Sequence, residues 1–200
     1  RGRQALRSGR ARVVDALLAL VRTTQPLAPP EAEQIVQAWG EPRDVARGEI
    51  LLRPGAVCRS LWFLDEGYAR FYAEREGEDV TRHFAPPGAL FTIVASLYSG
   101  RPSREGLQML TPGRVREVPR EAYERLAETN APWDAFRTAY VREVYDYLDR
   151  ALDDARSLTA AERYAAFERD QPEVLLHVPL RYVASYLGMT PQSLSRIRAR

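Results

Sequence analysis

Glycine recurs at Gly48, Gly55, Gly67, Gly77, Gly88, Gly100, Gly106 and Gly113, and the stretches between are short apolar and aromatic runs such as SLWFLDEG, YARFYAE and VTRHFA. Turn signals at roughly 8- to 12-residue intervals indicate a small all-β barrel or sandwich for this part of the chain. Both flanks read as helix. Upstream, PPEAEQIVQAW places Ala32, Ile35, Val36 and Trp39 on one face behind prolines suited to a first turn, and Gly40 ends the run. Downstream, PREAYERLAETN resumes a helix over 119–130. A single amphipathic helix of about 25 residues follows, with Phe136, Tyr140, Val144, Tyr147, Leu148, Ala151 and Ala155 every three or four positions. Such a helix can pack on its own barrel or pair with a second copy of the chain; the alternating steps favour the seam, so these seven residues are the expected dimer interface.

Thr159 and Glu162 form a capping box that restarts a helix where the long one should fray, and a hinge belongs there. The class is therefore α+β in three parts: 1–130 with N-terminal helices and the β-rich sensor, 131–156 as the long helix, and 157–200 as a small helical domain. A helix reaches about Arg169, breaks at Pro172, and is followed by PLRYVASYLG and TPQSLSRIRAR.

The last segment carries the functional signal. Gly188 sits where a left-handed residue ends one helix, Thr190 caps the next, and Pro191 takes its first turn, where a missing N–H costs nothing. Val183, Ala184, Leu187, Met189, Leu194 and Ile197 are spaced to interlock two helices across a three-residue turn, as a helix-turn-helix requires. With Leu194 and Ile197 buried, the opposite face of the second helix holds Gln192, Ser195, Arg196 and Ala199. Net charge is only +2, but all 29 basic residues are arginine, and after Glu173 the chain carries Arg181, Arg196, Arg198 and Arg200 with no acid. Duplex DNA is the expected partner, met by Thr190, Gln192, Ser193, Ser195, Arg196, Arg198 and Arg200. The competing reading is a small-molecule-binding or enzymatic β-roll whose C-terminal helices are only an interaction module.

Other chemistry has little support. Cys58 is the single cysteine, which excludes an internal disulfide framework and a four-cysteine zinc or iron–sulfur site and fits a reducing cytoplasm. His83 and His177 have no second ligand at metal spacing, no glycine-rich phosphate loop precedes a helix, and no Ser/His/Asp arrangement is arguable, so neither an enzyme nor a cofactor is expected. Five arginines within residues 1–12 precede the apolar VVDALLALV, but Asp15 interrupts that run and no small-residue cleavage pattern follows. Residues 11–22 read as an amphipathic helix behind a basic arm, and no membrane span is expected.

The order of helix, roll, long helix and helix-turn-helix resembles the Crp/Fnr transcription regulators from about residue 24 to 200. The resemblance rests on RGEILLRPGAVCRSLWFLDEGYARFY and HFAPPGALF in the roll and on LTAAERY and VPLRYVASYLGMTPQSLSRIR at the end. It implies a cyclic-nucleotide-binding-like β-roll (a double-stranded β-helix or jelly roll), a homodimer along the long helix and an inverted-repeat operator, with RNA polymerase as a further partner. Fnr-type members read the groove with Glu, Ser and Arg; the matching positions here are Gln192, Ser195 and Arg196. Nucleotide-binding relatives hold the ribose with the acid of a Gly-Glu-Leu/Ile segment and the phosphate with an Arg followed by Ser or Thr and Ala. Here no acid lies between Asp79 and Glu105, and the phosphate segment reads Ser103, Arg104, Glu105; Arg137-Thr138-Ala139 is a chance match inside the long helix. Cyclic AMP is therefore not the expected effector. Arg101 and Arg104 are the candidate contacts for some other anionic effector, against the plain reading as solvated loop arginines.

Overall fold

The computed structural model describes residues 16–75 and 77–199. Residues 16–22 are helical (α1), and α2 spans Pro29–Ala38; the basic arm and residues 11–15 of the expected first helix lie outside the described residues. The glycine-punctuated stretch forms eight strands, β1 Arg43–Val45, β2 Ile50–Leu52, β3 Ser60–Glu66, β4 Ala69–Arg75, β5 Glu78–Ala85, β6 Leu90–Phe91, β7 Glu105–Met109 and β8 Gly113–Pro119, with a short helix α3 (Val94–Ser99) between β6 and β7. They pair antiparallel into two four-stranded sheets, ordered β1-β8-β3-β6 and β2-β7-β4-β5. Gly113 is required by close approach, since a Cβ there would stand 2.0 Å from the Glu66 carbonyl oxygen.

Alternation along β3 sorts the side chains into two cores. Trp62 and Leu64 point between the sheets, where they pack with Phe91, Leu107 and Met109. Leu61 and Phe63 point outward and pack under α1, α2, α4 (Arg120–Thr129) and the start of α5 (Ala131–Ser157), against Val21, Ile35, Trp39, Leu126 and Trp133. The rings of Trp39 and Trp133 meet edge to face at 5.9 Å. Asn130 joins these helices: its Oδ1 accepts from the Trp133 N–H, capping α5, while Nδ2 donates to the Glu31 carbonyl and to Gln34 Oε1, each at 3.0 Å.

The remaining helices are α6 Ala160–Asp170, α7 Pro172–His177, α8 Leu180–Tyr186 and α9 Pro191–Arg198. Thr159 caps α6, and Glu162 returns the bond to the Thr159 N–H at 2.8 Å, the capping box read from the sequence. A third core joins this segment to the outer face of the second sheet: Tyr68, Phe84 and Leu110 of the roll pack with Phe167, Val174, Val183 and Leu194. Among the described residues no helix is long and apolar enough to cross a membrane.

Candidate nucleic-acid interface

The turn between α8 and α9 is built as its residue types require. Gly188 adopts φ +67°, the Met189 N–H reaches back to the Ala184 carbonyl at 3.0 Å, and Thr190 Oγ1 accepts the Ser193 N–H at 3.2 Å. Leu194, Val183 and Ala184 are fully buried between the helices, with Met189 and Ile197 against their edge. Burying each large apolar side chain contributes about 1.5 to 3 kcal/mol, so the pair is held by its core and the outer face is free of structural duty.

Gln192, Ser195, Arg196 and Ala199 are all exposed on that outer face. Thr190 is exposed and used as the cap. Ser193 is half-buried and belongs to the same cap, its Oγ 3.0 Å from Thr190 Oγ1 and accepting from Arg196 Nη2 at 3.4 Å. Arg198 is exposed beside α6, where its guanidinium meets the Tyr164 hydroxyl and works against the rise in that phenol's pKa caused first by burial. Arg200 lies outside the described residues. Two arginines that the sequence reading left out of the interface also matter here. Arg181, exposed at the start of α8, lies 4.7 Å over the Tyr182 ring and is a further cation of the acid-free segment. Arg163 donates to the Leu187 carbonyl at 3.2 Å and to the Leu158 carbonyl at 2.7 Å, tying the helix-turn-helix to the α5–α6 hinge; its spacing carries no signal, because both acceptors are backbone.

The expected dimer stripe divides in two. Phe136 is buried in the outer core, the Tyr140 hydroxyl donates to the Leu90 carbonyl, and Tyr147 Oη lies 3.3 Å from Tyr186 Oη, so these three serve contacts within the chain. Val144 and Ala151 are half-buried; Leu148 and Ala155 are exposed. The free apolar positions run instead through Val141, Tyr145, Leu148 and Leu152, exposed by 43, 69, 43 and 49%. Their steps of four, three and four residues are a heptad seam. A 3.6-residue period spreads apolar residues over a wide arc, and the roll covers one edge of it. Beside the free edge lies an apolar cleft of about 190 Å³, walled by Leu61, Leu90, Val94, Tyr98, Val141 and Tyr145.

In the roll, Arg101 and Arg104 are exposed, with α3 anchored between them and the core by Ser96 Oγ donating to the Arg101 carbonyl at 2.6 Å. Ser103 is buried and engaged with backbone: its N–H donates to the Ala56 carbonyl at 2.8 Å and its carbonyl accepts from Gly55 at 2.7 Å. The space between the sheets is filled by rings, Trp62 on Phe91 at 6.0 Å and Phe71 on Phe91 at 6.4 Å. Of the histidines, His177 is exposed and stacks on Tyr68 at 5.0 Å, whereas His83 is largely buried among Phe71, Tyr147 and Tyr186, and burial lowers its pKa to about 4. Among the described residues no cluster of three or more His, Cys, Asp or Glu could hold a metal ion.

The two sheets and α3–α4 define a β-roll of the cyclic nucleotide-binding type, and residues 42–130 match the cyclic nucleotide-binding domain family. With the long helix and helix-turn-helix added, the described residues have the fold of the Crp/Fnr regulators. FixK2 from Bradyrhizobium japonicum matches with a TM-score of 0.70 and 20% identity over 80% of this chain and 82% of that one. The catabolite activator protein of Thermus thermophilus matches with a TM-score of 0.55 and 19% identity, over 86% and 83% of the two chains. A chain from Eubacterium rectale assigned to the Crp/Fnr family matches with a TM-score of 0.66 and 16% identity, over 86% and 82%. No curated protein matches the sequence.

Proposed function

We propose that this chain is a sequence-specific DNA-binding transcription regulator, acting as a homodimer on an inverted-repeat operator and not responding to cyclic AMP. The observation that carries the reading is the outer face of α9, where Gln192, Ser195 and Arg196 are exposed on a helix whose opposite side is fully committed to the core. From residue 180 to 199 there is no acid, and the charged side chains of the segment are Arg181, Arg196 and Arg198. The Arg196 fork suits O6 and N7 of a guanine, and the Gln192 amide suits N6 and N7 of an adenine. Arg198 flanks the face, and its cation and that of Arg181 suit phosphates. The heptad Val141, Tyr145, Leu148 and Leu152 supports pairing along α5, which would set two recognition helices about one turn of DNA apart. Cytoplasmic localisation and recruitment of RNA polymerase follow from this reading.

No acid lies between Asp79 and Glu105, the main chain of Ser103 pairs with Gly55 and Ala56 while its hydroxyl accepts from the Glu105 N–H at 2.9 Å, and Arg101 and Arg104 are in solvent. A cyclic nucleotide left without a ribose partner and a buried phosphate partner would bury unpaired polar groups at about 1 to 3 kcal/mol each. The test is selection of duplexes from a random pool by the purified protein. Enrichment of an inverted repeat supports the reading, and retention of all duplexes alike refutes it.

A further inference from the structure

We propose that the helix-turn-helix is latched to the roll of its own chain through Arg70 and the edge of β5, and that this latch holds α9 in the single pose needed to engage both halves of an operator. The proposal rests on the DNA-binding reading for its functional half and on geometry alone for its structural half.

β5 is the outer strand of its sheet, and a bulge opposite Phe71 and Tyr72 breaks the regular pairing beside Thr81. An exposed strand edge leaves N–H groups without partners. Here α8 covers the edge, and the Thr81 N–H donates to Ser185 Oγ at 3.0 Å. One strand over, Arg70 is only 1% exposed. Its three nitrogens donate to Gln108 Oε1 at 2.9 Å, Thr81 Oγ1 at 3.2 Å and Asp79 Oδ2 at 2.7 Å, so the guanidinium is fixed in place by the roll. Two aromatic rings lie against it, Tyr72 of the roll at 4.8 Å and Tyr182 of α8 at 4.4 Å. The second ring therefore comes from the helix-turn-helix. A buried guanidinium in contact with two aromatic rings gains from both, and lifting α8 removes one ring and admits water to a cation the roll has desolvated. Tyr186 completes the contact, packing on Phe84 at 5.5 Å and lying 6.5 Å from the His83 ring, with its hydroxyl near that of Tyr147 on α5. Roll, long helix and reading head thus meet at one point.

The latch leaves Gln192, Ser195 and Arg196 exposed, so it does not mask the reading face. Its effect is on orientation. Two heads held in fixed poses engage two half-sites without a further ordering cost, whereas free heads must be ordered on the DNA.

The experiment uses the full chain carrying Tyr182→Ala together with Ser185→Ala, and Tyr182→Phe as the conservative variant. Amide exchange of Thr81 should accelerate in the double variant while amides of β3 and β8 keep their protection. Affinity for the two-half-site operator should fall about tenfold with single half-site affinity unchanged, and Tyr182→Phe should restore the parent value. Unchanged Thr81 protection in the double variant, or operator and half-site affinities that move together or not at all, overturns the latch. If the parent selects no DNA sequence, the proposed function fails, and the exchange measurement alone decides whether the latch exists.

Discussion

The Tyr140 hydroxyl donates to the Leu90 carbonyl at 2.5 Å, on the side of α5 that Phe136 and Trp133 already seat against the roll. Burial pushes the Tyr140 phenol pKa up to about 12, so the bond persists across the working pH range. Turning α5 this way commits Phe136 and Tyr147 to the same chain and leaves Val141, Tyr145, Leu148 and Leu152 uncovered.

The first prediction concerns assembly. Leu148→Asp places a charge in the middle of the free heptad, where pairing would have to desolvate it, and should yield monomers in sedimentation. Tyr140→Phe, changed on the roll-facing side, should leave the dimer intact. A parent that sediments as a monomer, or a Leu148→Asp variant that remains dimeric, contradicts the seam.

Stability should depend heavily on Asn130. It is 1% exposed and links α2 to the start of α5 through three hydrogen bonds. Asn130→Ala removes the helix cap and leaves the Glu31 carbonyl without that donor, and should cost about 2 to 3 kcal/mol in urea unfolding. A loss below about 0.5 kcal/mol, typical of an unremarkable surface change, would contradict this assignment.

His83 gives a pH dependence with a definite sign. Its pKa is lowered from 6.5 to about 4, by burial first and the Arg82 charge second, so the folded chain resists protonating it while the unfolded chain does not. The contribution to stability is complete above pH 6.5, declines as pH falls, and is lost below about 4, amounting to about 3 kcal/mol in all. Replacing His83 with Leu removes this proton linkage. Urea unfolding across that range should show the parent losing about 3 kcal/mol relative to His83→Leu; parallel curves would contradict the burial-driven shift.

For the roll, calorimetry with cyclic AMP should show no binding tighter than about millimolar. Micromolar affinity that disappears in Arg104→Ala would show that the loop arginine closes over a ligand despite its exposure.

Much of this architecture was legible because it is local. The glycine spacing marked the strands, and Gly188, Thr190 and Pro191 specified the α8–α9 turn through backbone requirements that only a few residue types meet. The exposed face of α9 was legible for the same reason: once Leu194 is buried, helical geometry dictates what lies opposite. What the sequence blurred were contacts between distant segments. Phe136 and Leu148 fall in one apolar series, and only the position of the roll separates the residue it buries from the one it leaves free. Arg70 reads as an ordinary strand arginine, yet the rings against it come from Tyr72 and from Tyr182, 112 residues further along the chain. No periodicity encodes such a pairing.

The central claim is that α9 reads DNA, and the most direct test is binding of the parent, Arg196→Ala and Arg198→Ala to randomised operators across a salt series. Arg196→Ala should cost about 1 to 3 kcal/mol per half-site and relax preference at one guanine in each, while Arg198→Ala should weaken all sequences alike and reduce the salt slope by about one per half-site. If Arg196→Ala leaves base preference untouched, α9 is not the reading helix and the account of this chain as a sequence-specific regulator is contradicted.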